Sequence, residues 1–479
     1  MEFQWQYRDI VPVKVPDELW HDFIQFLEEY SRRYGALERS EEVTYEGKPA
    51  FLMHFRLSPE ITLDALIQQH PDGLLVMYAV HPPEAIRRVN LARYTNDLTN
   101  ITHRFVSVKG IISLYLVFLP ETSPIPASIE SGWRRFIGYL LMSNMFYFFI
   151  FVLVLGVFIY HFFLYYTPLI LVAMQVAVLL LSDRLAALRG DFKVDAHNQV
   201  VYLAELRLKQ RNFVELMERC WPKIMEIKQK IYDRTLGLGK ELTPDAILSV
   251  FSEYGVSCTP HRVSIKKINL YRMVADLTQR FKIPIPKIAL VNVLVPNAAA
   301  TGVSPSRATL LVTSGLLTLL EEEEIYGVLA HELSHVKARD PVILFAMTAS
   351  EYLIRVYFLW WLFFLLPLFF AYFITALTLL FFIAKFLEAR ADLDAAYATG
   401  NPKALARALR KAAAPRLQME MAYGVGVGGW LTWDTHPPVY FRVRRLEKLD
   451  ITRRVNTFTR SVKDVISGLL ASIRGVPYP

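Results

Sequence analysis

Two long apolar runs constrain the fold of this 479-residue chain more than any other feature. The first covers residues 136–181 and contains no Lys, Arg, Asp or Glu, and the second covers residues 342–384 and contains only Glu351 and Arg355. One membrane crossing takes about 20 residues, so each run is long enough for two helices and a turn. The pattern predicts four transmembrane helices in two hairpins. The alternative, buried core helices, requires elements far longer than those of ordinary globular proteins.

The first hairpin is predicted at residues 131–184, with helices at about 137–159 and 163–182, and the second at residues 342–384, with a turn near Pro367. Basic residues border both runs on their outer sides, and neither predicted turn carries one. Because cytoplasmic loops are enriched in Lys and Arg, both termini and everything outside the hairpins are predicted to be cytoplasmic. The bordering residues are Arg134, Arg135, Arg184, Arg189, Lys193, Lys337, Arg339, Lys385 and Arg390.

The distribution of charge and the number of cysteines indicate the kind of partner and the cellular compartment. The net charge of +8 comes mainly from basic residues at the borders of the apolar runs and on helices that also carry acids. This distribution favours an anionic lipid surface over nucleic acid as the partner. The two cysteines, Cys220 and Cys258, are too few for a disulfide framework and suit a reducing cytoplasm.

The soluble parts of the chain divide into an N-terminal domain and a second domain that the second hairpin interrupts. Residues 1–130 mix helical and strand-like spacing, which predicts an α+β domain. Residues 185–341 and 385–479 are predicted to form the two parts of the second domain. The charged segment from Asp183 to about Leu242 is predicted to be largely helical. The fold class is therefore a multi-domain α+β membrane protein.

The segment YGVLAHELSHVKARDP, residues 326–341, carries the first indication of chemistry. The helix predicted from Glu321 onward begins with acids and ends near two basic residues, as the helix dipole favours. His331 and His335 are four residues apart, so both imidazoles lie on one helix face and reach one ion. Glu332 is offset by about 100° and lies at the flank, where a base for a bound water belongs. The pattern predicts two of the three protein ligands that a catalytic zinc takes together with a water. The alternative is a helix that happens to carry polar residues.

The third ligand is predicted in the segment AKFLEARADLDAA, directly after the second apolar run. Glu388 and Asp392 are four residues apart and share one helix face. Glu388 would complete the set of ligands, and Asp392 would accept the free N–H of a ligating histidine. A hairpin that leaves and re-enters the membrane on one side returns Glu388 to the helix that carries the histidines. The alternative is a surface helix with ordinary acids.

Glu351 and Arg355 interrupt the second apolar run, and their spacing lets them pair on one helix face. Two interpretations remain open. The pair faces an aqueous cavity that leads to the site, or the helix extends above the membrane before it enters the bilayer.

Several motifs occur in the order found in a known family. HELSH, the hairpin after it, and EARAD resemble the HtpX-like family of membrane zinc metalloproteases of the gluzincin type, which are related to the CAAX prenyl proteases. PNAAATG at residues 296–302 is similar to the family segment PNAFATG, and LLVTSGLL is similar to the strand and turn after it. THPPVYFR is similar to the family's His-Pro motif. The resemblance covers about residues 136–445, and residues 1–130 lie outside it.

The resemblance implies a zincin-like metalloprotease domain with one Zn2+ per chain. His331, His335 and Glu388 would bind the zinc, and Glu332 would be the general base. The mechanism implied is attack of a zinc-activated water on a peptide carbonyl, with no covalent enzyme intermediate.

The resemblance also implies an edge strand on which a peptide substrate adds as a further strand. This chain has Ala299 where the family often has Phe, which implies a more open cleft. His436 would stabilise the developing oxyanion, and Arg442 would order the loop around it. The alternative for His436 is that HPP only terminates a helix, since the same tripeptide occurs at His81. The edge residues are Asn297, Ala298, Ala299 and Ala300.

The function expected is a membrane-anchored zinc endopeptidase that cleaves polypeptides, chiefly misfolded membrane proteins, at the cytoplasmic face. It would be a multi-pass protein of the cell membrane, with its N-terminal domain and active site in the cytoplasm. The alternatives are a CAAX-type prenyl-peptide protease, which has more membrane spans, and a noncatalytic scaffold, which would have lost a metal or base residue. The lipid bilayer is an expected partner and nucleic acid is not, while a homo-oligomer or a membrane partner stays open.

Overall fold

The computed structural model describes residues 5–34, 37–89, 91–108, 111–122, 145–209, 216, 220–255, 263–452 and 455–474. The chain divides into two compact units. The smaller consists of Met1–Ser113, Arg207–Phe213 and Ala413–Gly424, and the larger of Leu114–Leu206, Val214–Ala412 and Val425–Pro479.

The smaller unit contains a five-stranded antiparallel sheet in the order β1-β5-β4-β3-β2. Two amphipathic helices pack on one face, where Phe23 and Phe105 meet strand residues such as Leu63 and Val76 in a buried core. The mixed helix and strand content predicted for this region is thus present. Its elements are β1 (Tyr7–Val11), α1 (Trp20–Tyr34), β2 (Leu37–Tyr45), β3 (Lys48–Ser58), β4 (Ile61–His70), β5 (Gly73–His81) and α2 (Leu91–Val108).

Two further sheets follow, in the orders β6-β8-β9 and β11-β12-β10-β7. In the second sheet β10 and β12 are parallel, and β11 forms an edge, since β12 is its one strand partner within the part of the chain that the structure describes. Gly302 has φ +148° and lies against the Arg307 carbonyl, so a side chain at this position would collide with β12. The strands are β6 (Ile111–Phe118), β7 (Phe192–Val194), β8 (Val200–Lys209), β9 (Val263–Asn269), β10 (Lys287–Val291), β11 (Ala298–Ser304) and β12 (Arg307–Thr313).

The prediction that residues from Asp183 to about Leu242 are largely helical is wrong for residues 192–209, which form β7 and β8. Leu, Ala, Glu and Lys dominate β8, and these residues favour helices in isolation. Pairing with β9 overrides that preference, because it places Val201, Leu203 and Leu206 in the core.

The remaining helices belong mainly to the larger unit. They are α3 (Met145–Phe163), α4 (Thr167–Leu180), α5 (Ser182–Ala187), α6 (Ile224–Arg234), α7 (Pro244–Glu253), α8 (Leu270–Phe281), α9 (Ser314–Leu319), α10 (Glu322–Ala338), α11 (Asp340–Tyr357), α12 (Leu366–Thr399), α13 (Pro402–Ala412), α14 (Ala414–Tyr423), α15 (Val427–Leu431), α16 (Val439–Glu447) and α17 (Thr457–Ile473).

Helix α10 occupies the centre of the larger unit and packs against α8, α12 and α13. It begins with a capping box, in which the side chains of Glu321 and Glu324 bind each other's backbone N–H groups. It ends where Arg339 adopts a left-handed conformation with φ 58°. This sharp end lets the chain enter α11 one residue later.

Among the described residues, two stretches are long and apolar enough to cross a membrane, Val154–Leu180 and Leu366–Thr399. The first includes a turn of 3-10 helix at Leu164–Tyr166, between α3 and α4. The most apolar part of the second is nowhere buried within the protein. A short 3-10 helix at Trp360–Phe364 lies between α11 and α12, close to the turn predicted at Pro367.

Glu351 and Arg355, the charged pair inside the second apolar run, form an ion pair with each other. Arg355 Nε donates to Glu351 Oε1 at 2.8 Å, and the Tyr372 hydroxyl of α12 donates to the same oxygen at 3.2 Å. The guanidinium also lies 5.4 Å from the ring centre of Phe373. These contacts satisfy both charges within the helix pair, so neither a water-filled cavity nor an exposed helix end is needed to accommodate them.

Candidate metal centre and active site

The candidate metal centre lies between α10 and α12. His331 and His335 share one face of α10, and α12 packs against that face with Glu388. His331 Nε2 lies 3.2 Å from His335 Nε2 and 3.4 Å from Glu388 Oε2, and His335 Nε2 lies 3.4 Å from Glu388 Oε1. The return of the chain through the second apolar run brings these side chains together, as the sequence predicted.

The three side chains are close enough to share one metal ion, since one ligand atom from each lies within 4.8 Å of the others. Tetrahedral ligands at the zinc distance of about 2.0–2.1 Å lie about 3.3–3.4 Å from each other. Each histidine Nε2 is 3.4 Å from one Glu388 oxygen, but the two histidines face different oxygens. The two histidine–carboxylate separations are longer than an ordinary hydrogen bond of about 2.7–3.2 Å. Glu388 Oε2 is buried and makes no hydrogen bond to any described residue. A buried carboxylate oxygen facing imidazole nitrogens in this way fits a bound cation.

An aspartate supports the outer nitrogen of His335. His335 Nδ1 donates to Asp340 Oδ2 at 2.6 Å, and Arg390 Nη2 donates to the same oxygen at 2.6 Å. Asp340 is buried at the first turn of α11. With its proton on Nδ1, His335 presents the lone pair of Nε2 to the centre. Asp340 was not predicted, because it lies beyond the end of α10 and reaches His335 only through the left-handed turn at Arg339.

A second aspartate lies beside the outer nitrogen of His331, although the angle between them gives His331 Nδ1 no hydrogen bond to any described residue. Asp392 Oδ1 lies 3.1 Å from His331 Nδ1, and Arg442 holds the Asp392 carboxylate with two hydrogen bonds of 2.7 and 2.9 Å. Burial works to lower the pKa of His331, but the Asp392 and Glu388 carboxylates outweigh it and raise the pKa to about 10. The centre therefore attracts positive charge. Arg442 was predicted to order the loop around His436, whereas these contacts link it to Asp392.

Glu332 connects α10 to the edge strand β11. Its Oε2 accepts a hydrogen bond from the Ala300 backbone N–H at 3.1 Å. Burial raises the pKa of Glu332, and the neighbouring histidines act in the opposite direction. A carboxylate with a raised pKa beside a metal centre is suited to exchange protons near neutral pH.

The main-chain groups along β11 alternate in direction, so only some of the residues predicted to bind substrate can pair with it. The Asn297 carbonyl accepts from Thr313 N, toward the neighbouring strand, whereas the Ala300 N–H points away from that strand to Glu332. Alternation along an antiparallel edge then directs the main-chain groups of Ala298 and Ala300 outward. Asn297 and Ala299 direct theirs toward β12.

His436 approaches the centre from the loop between α15 and α16. Its Nε2 lies 3.5 Å from Glu388 Oε2, and its backbone N–H donates to Asp434 Oδ1 at 2.9 Å. Lys385 lies one turn before Glu388, is fully buried, and donates to the carbonyls of Thr432 and Asp434 at 3.0 and 2.5 Å. Lys385 thus attaches this loop to α12. It was predicted only as a charge at the membrane border.

The HPP tripeptide begins a helix here and does not end one. Pro438 is the N-cap residue of α16, the helix that carries Arg442. The structural alternative for His436, that HPP only terminates a helix, therefore does not describe this loop.

Comparison with known proteins identifies the family to which this chain is similar. The profile of Peptidase family M48 matches residues 264–450, a range that contains every site residue above. A "Protease HtpX homolog" of Pyrococcus furiosus is 35% identical over 215 residues, 38% of this chain and 73% of the relative. The proteins of the same name from Thermococcus sibiricus and Desulforapulum autotrophicum are 34% and 33% identical over 213 and 208 residues, which cover 38% and 37% of this chain and 73% and 67% of those relatives.

The chain belongs to peptidase family M48, in its HtpX-like group. As an HtpX-like M48 peptidase it is a membrane-associated metalloendopeptidase, and its substrates are polypeptides. The CAAX-type and scaffold alternatives are not favoured. The M48 domain lies in the C-terminal half of the chain, and residues 1–263 lie outside the family match.

Proposed function

We propose that this M48 peptidase binds one zinc ion through His331, His335 and Glu388 and cleaves membrane proteins at the cytoplasmic face in protein quality control. The observation that carries the proposal is the set of separations of 3.2, 3.4 and 3.4 Å among the three donor side chains. Asp392 and Asp340 would hold the two histidines in the ligating tautomer.

When bound, zinc supplies Lewis acidity to the scissile carbonyl and acidifies a water molecule. Glu332 accepts the proton of the attacking water and returns it to the leaving amine nitrogen. His436 donates from Nε2 to the oxygen that gains negative charge, since this nitrogen is directed at the centre. Lys385 and Asp434 hold the His436 loop in position for that contact.

The substrate would bind as an added strand along β11. Ala298 offers its outward N–H and carbonyl for this pairing and Ala300 offers its carbonyl, while Asn297 and Ala299 direct their main-chain groups toward β12. The Ala300 N–H already bonds to Glu332, so a peptide paired here passes directly over the proposed base.

The four-crossing topology is supported by the turns at the far ends of the apolar helices. The Tyr357 hydroxyl donates to the Tyr165 carbonyl at 2.8 Å, and the two rings lie 4.9 Å apart. The turns therefore lie side by side. Exposed aromatic side chains, which membrane interfaces favour, surround them at Tyr166, Trp360 and Trp361.

The orientation of the protein is supported by the exposed basic residues that follow α4. Arg184, Arg189 and Lys193 lie at the end near the site, and the described turns carry no Lys or Arg. By the positive-inside rule, this distribution of basic residues supports a cytoplasmic active site and a cytoplasmic N-terminal domain.

Zinc content and proteolysis of three variants test the assignments. Glu332→Gln should purify with about one zinc per chain and lose casein cleavage by about 100-fold or more. Glu388→Ala should lose both zinc and activity. Glu322→Gln changes an exposed acid of the same helix and serves as the matched control, with both properties retained. Full proteolysis by Glu332→Gln, or undiminished zinc affinity in Glu388→Ala, would contradict the proposal.

A further inference from the structure

Helix α17 packs beside the part of α12 where the apolar stretch ends. Val465 belongs to a buried cluster with Ala389, Trp430 and Phe441. Phe382, Phe386 and Leu469 pack against this cluster. The Trp430 indole lies on Gly468 and donates to Ser472 Oγ at 2.9 Å.

The loop after α15 runs along α12 toward its apolar stretch. Lys385 holds the Thr432 carbonyl, and the next residue, Trp433, donates its indole N–H to Thr378 Oγ1 at 3.2 Å. Thr378 lies seven residues before Lys385, about 10 Å along the helix and inside the charge-free stretch. Trp433 is half exposed at this level.

The outward face of α17 is apolar in its C-terminal half. Ile466, Leu470 and Ile473 are 42%, 44% and 58% exposed, and no charged residue lies between positions 465 and 473. Lys463 is exposed at one border of this stretch and Arg474 at the other. The neighbouring helix α12 also exposes apolar side chains in its charge-free stretch, where Leu379 is 57% exposed.

We propose that the C-terminal half of α17, together with Trp433, enters the lipid bilayer beside α12 as a shallow membrane anchor. The anchor consists of Trp433, Ile466, Leu470 and Ile473. The proposal rests on the membrane span of α12 proposed above. The charge-free stretch of α12 ends at Lys385, and the reach of about 10 Å from there to Thr378 is comparable with the depth, about 5–10 Å, to which interfacial helices bury their apolar faces.

Charge and residue type select lipid as the occupant of this surface. Tryptophan is enriched at the boundary between headgroups and acyl chains, and Trp433 lies at that level. Arg474 directly follows the apolar stretch, so its guanidinium reaches lipid phosphates, and its charge limits the depth of insertion. The surface also lies beside α12, the helix whose apolar stretch is proposed to span the bilayer.

The anchor makes the bilayer part of the support of the active site. Trp430 contacts both Gly468 of α17 and Phe441 of α16, and it precedes the loop that carries His436. Lipid that holds α17 in place therefore also restrains the region from which His436 approaches the metal centre.

Spin labels in the full-length protein test the anchor directly. Cys258→Ser leaves Cys220, which is buried and shielded from the label. Single cysteines replace Leu470, Ile473, Phe458 and Leu379 in separate proteins reconstituted into vesicles of phosphatidylcholine and phosphatidylglycerol. Accessibility of each label to oxygen and to a water-soluble nickel chelate reports its depth.

The expected result is an oxygen-to-nickel accessibility ratio at positions 470 and 473 that is several-fold above the ratio at position 458 and approaches that at 379. Phe458 lies on the same helix, twelve residues before Leu470, and is the matched aqueous control. A water-like ratio at 470 and 473 together with a lipid-like ratio at 379 overturns the anchor alone. A water-like ratio at 379 overturns the membrane span as well. Labels at 470 and 473 shielded from both reagents reveal a protein partner and also overturn the anchor.

Tryptophan quenching gives a measurement without cysteines. Lipids brominated near the headgroup should quench wild-type fluorescence more than that of Trp433→Phe, because Trp433 lies at their depth. Equal quenching of the two proteins contradicts the placement of Trp433 in the bilayer.

Discussion

His335 donates its Nδ1 proton to Asp340, with 2.6 Å between Nδ1 and Oδ2. The aspartate is buried and also binds Arg390, so it is a charged and fixed acceptor. Such partners typically contribute 10- to 100-fold to metal affinity. We therefore expect Asp340→Asn to weaken zinc binding by about 10- to 100-fold, measured by competition with a chelator, while the fold is retained.

A nearby aspartate provides the control for that measurement. Asp394 of α12 accepts from Ser334 at 2.8 Å and lies on the same helix as Glu388. Asp394→Asn should leave zinc affinity close to that of the wild type. Equal losses in Asp340→Asn and Asp394→Asn would show that the effect comes from general disruption of the helix pair.

The contrast between Asp392 and Asp340 shows what the sequence reveals about this site. Asp392 was predicted as a partner of a ligating histidine because its spacing from Glu388 places both on one helix face. Asp340 was missed because its contact with His335 depends on the left-handed turn at Arg339, which no periodic pattern marks. Local spacing predicts side chains on one helix, whereas contacts across a turn require the backbone path.

The same limit applies to the fold. The helix with the histidines and the return of Glu388 follow from spacing and from the length of the apolar run. Strand β8 was predicted as helix because its residues favour helices, and only pairing with β9, some 60 residues later, reveals its conformation. Lys385 was interpreted as a membrane-border charge, although it bonds to carbonyls 47 and 49 residues further along the chain.

Lys385→Met should lower the turnover number of the enzyme with little change in zinc content. The substitution removes the donor to the Thr432 and Asp434 carbonyls, so the loop with His436 loses its attachment to α12. A displacement of about 1 Å near an active site costs up to about 100-fold in rate. We expect kcat to fall by about 10- to 100-fold, KM to change less, and Lys385→Arg to restore part of the rate. Loss of zinc, or a change in KM alone, would argue against a role through His436.

The predicted topology places the two apolar turns outside the cytoplasm. Phe364, in the turn between α11 and α12, is 74% exposed, and Lys448, after α16, is also exposed. A membrane-impermeant maleimide should label Phe364→Cys in intact cells and Lys448→Cys only after lysis, because the positive-inside rule keeps the basic side in the cytoplasm. The reverse labelling pattern would invert the orientation, and labelling of both positions in intact cells would rule out the second hairpin.

Lys228 of α6 should reduce the stability of the fold at neutral pH. Lys228 is 3% exposed, and its Nζ lies 5.6 and 5.7 Å from the ring centres of Phe118 and Phe192. Burial lowers the pKa of Lys228 to about 8, and the charge of Asp191 offsets only part of this effect. At pH 7 the residue is charged in both states, so the folded protein carries the full cost of the buried charge.

Lys228→Met should therefore raise the melting temperature at pH 7. The expected gain in the free energy of unfolding is about 1–3 kcal/mol. Between pH 8 and the unfolded pKa of about 10.5, the unfolded chain binds more protons at residue 228 than the folded protein does. Wild-type stability thus rises with pH in this window relative to the variant, and the advantage of Lys228→Met should shrink. Thermal unfolding followed by tryptophan fluorescence at pH 7 and pH 10 measures both values. Lys230→Met, on the same helix but 40% exposed, is the control and should give no such gain. A lower melting temperature for Lys228→Met at pH 7 would show that the cation–π contacts outweigh the cost of burial.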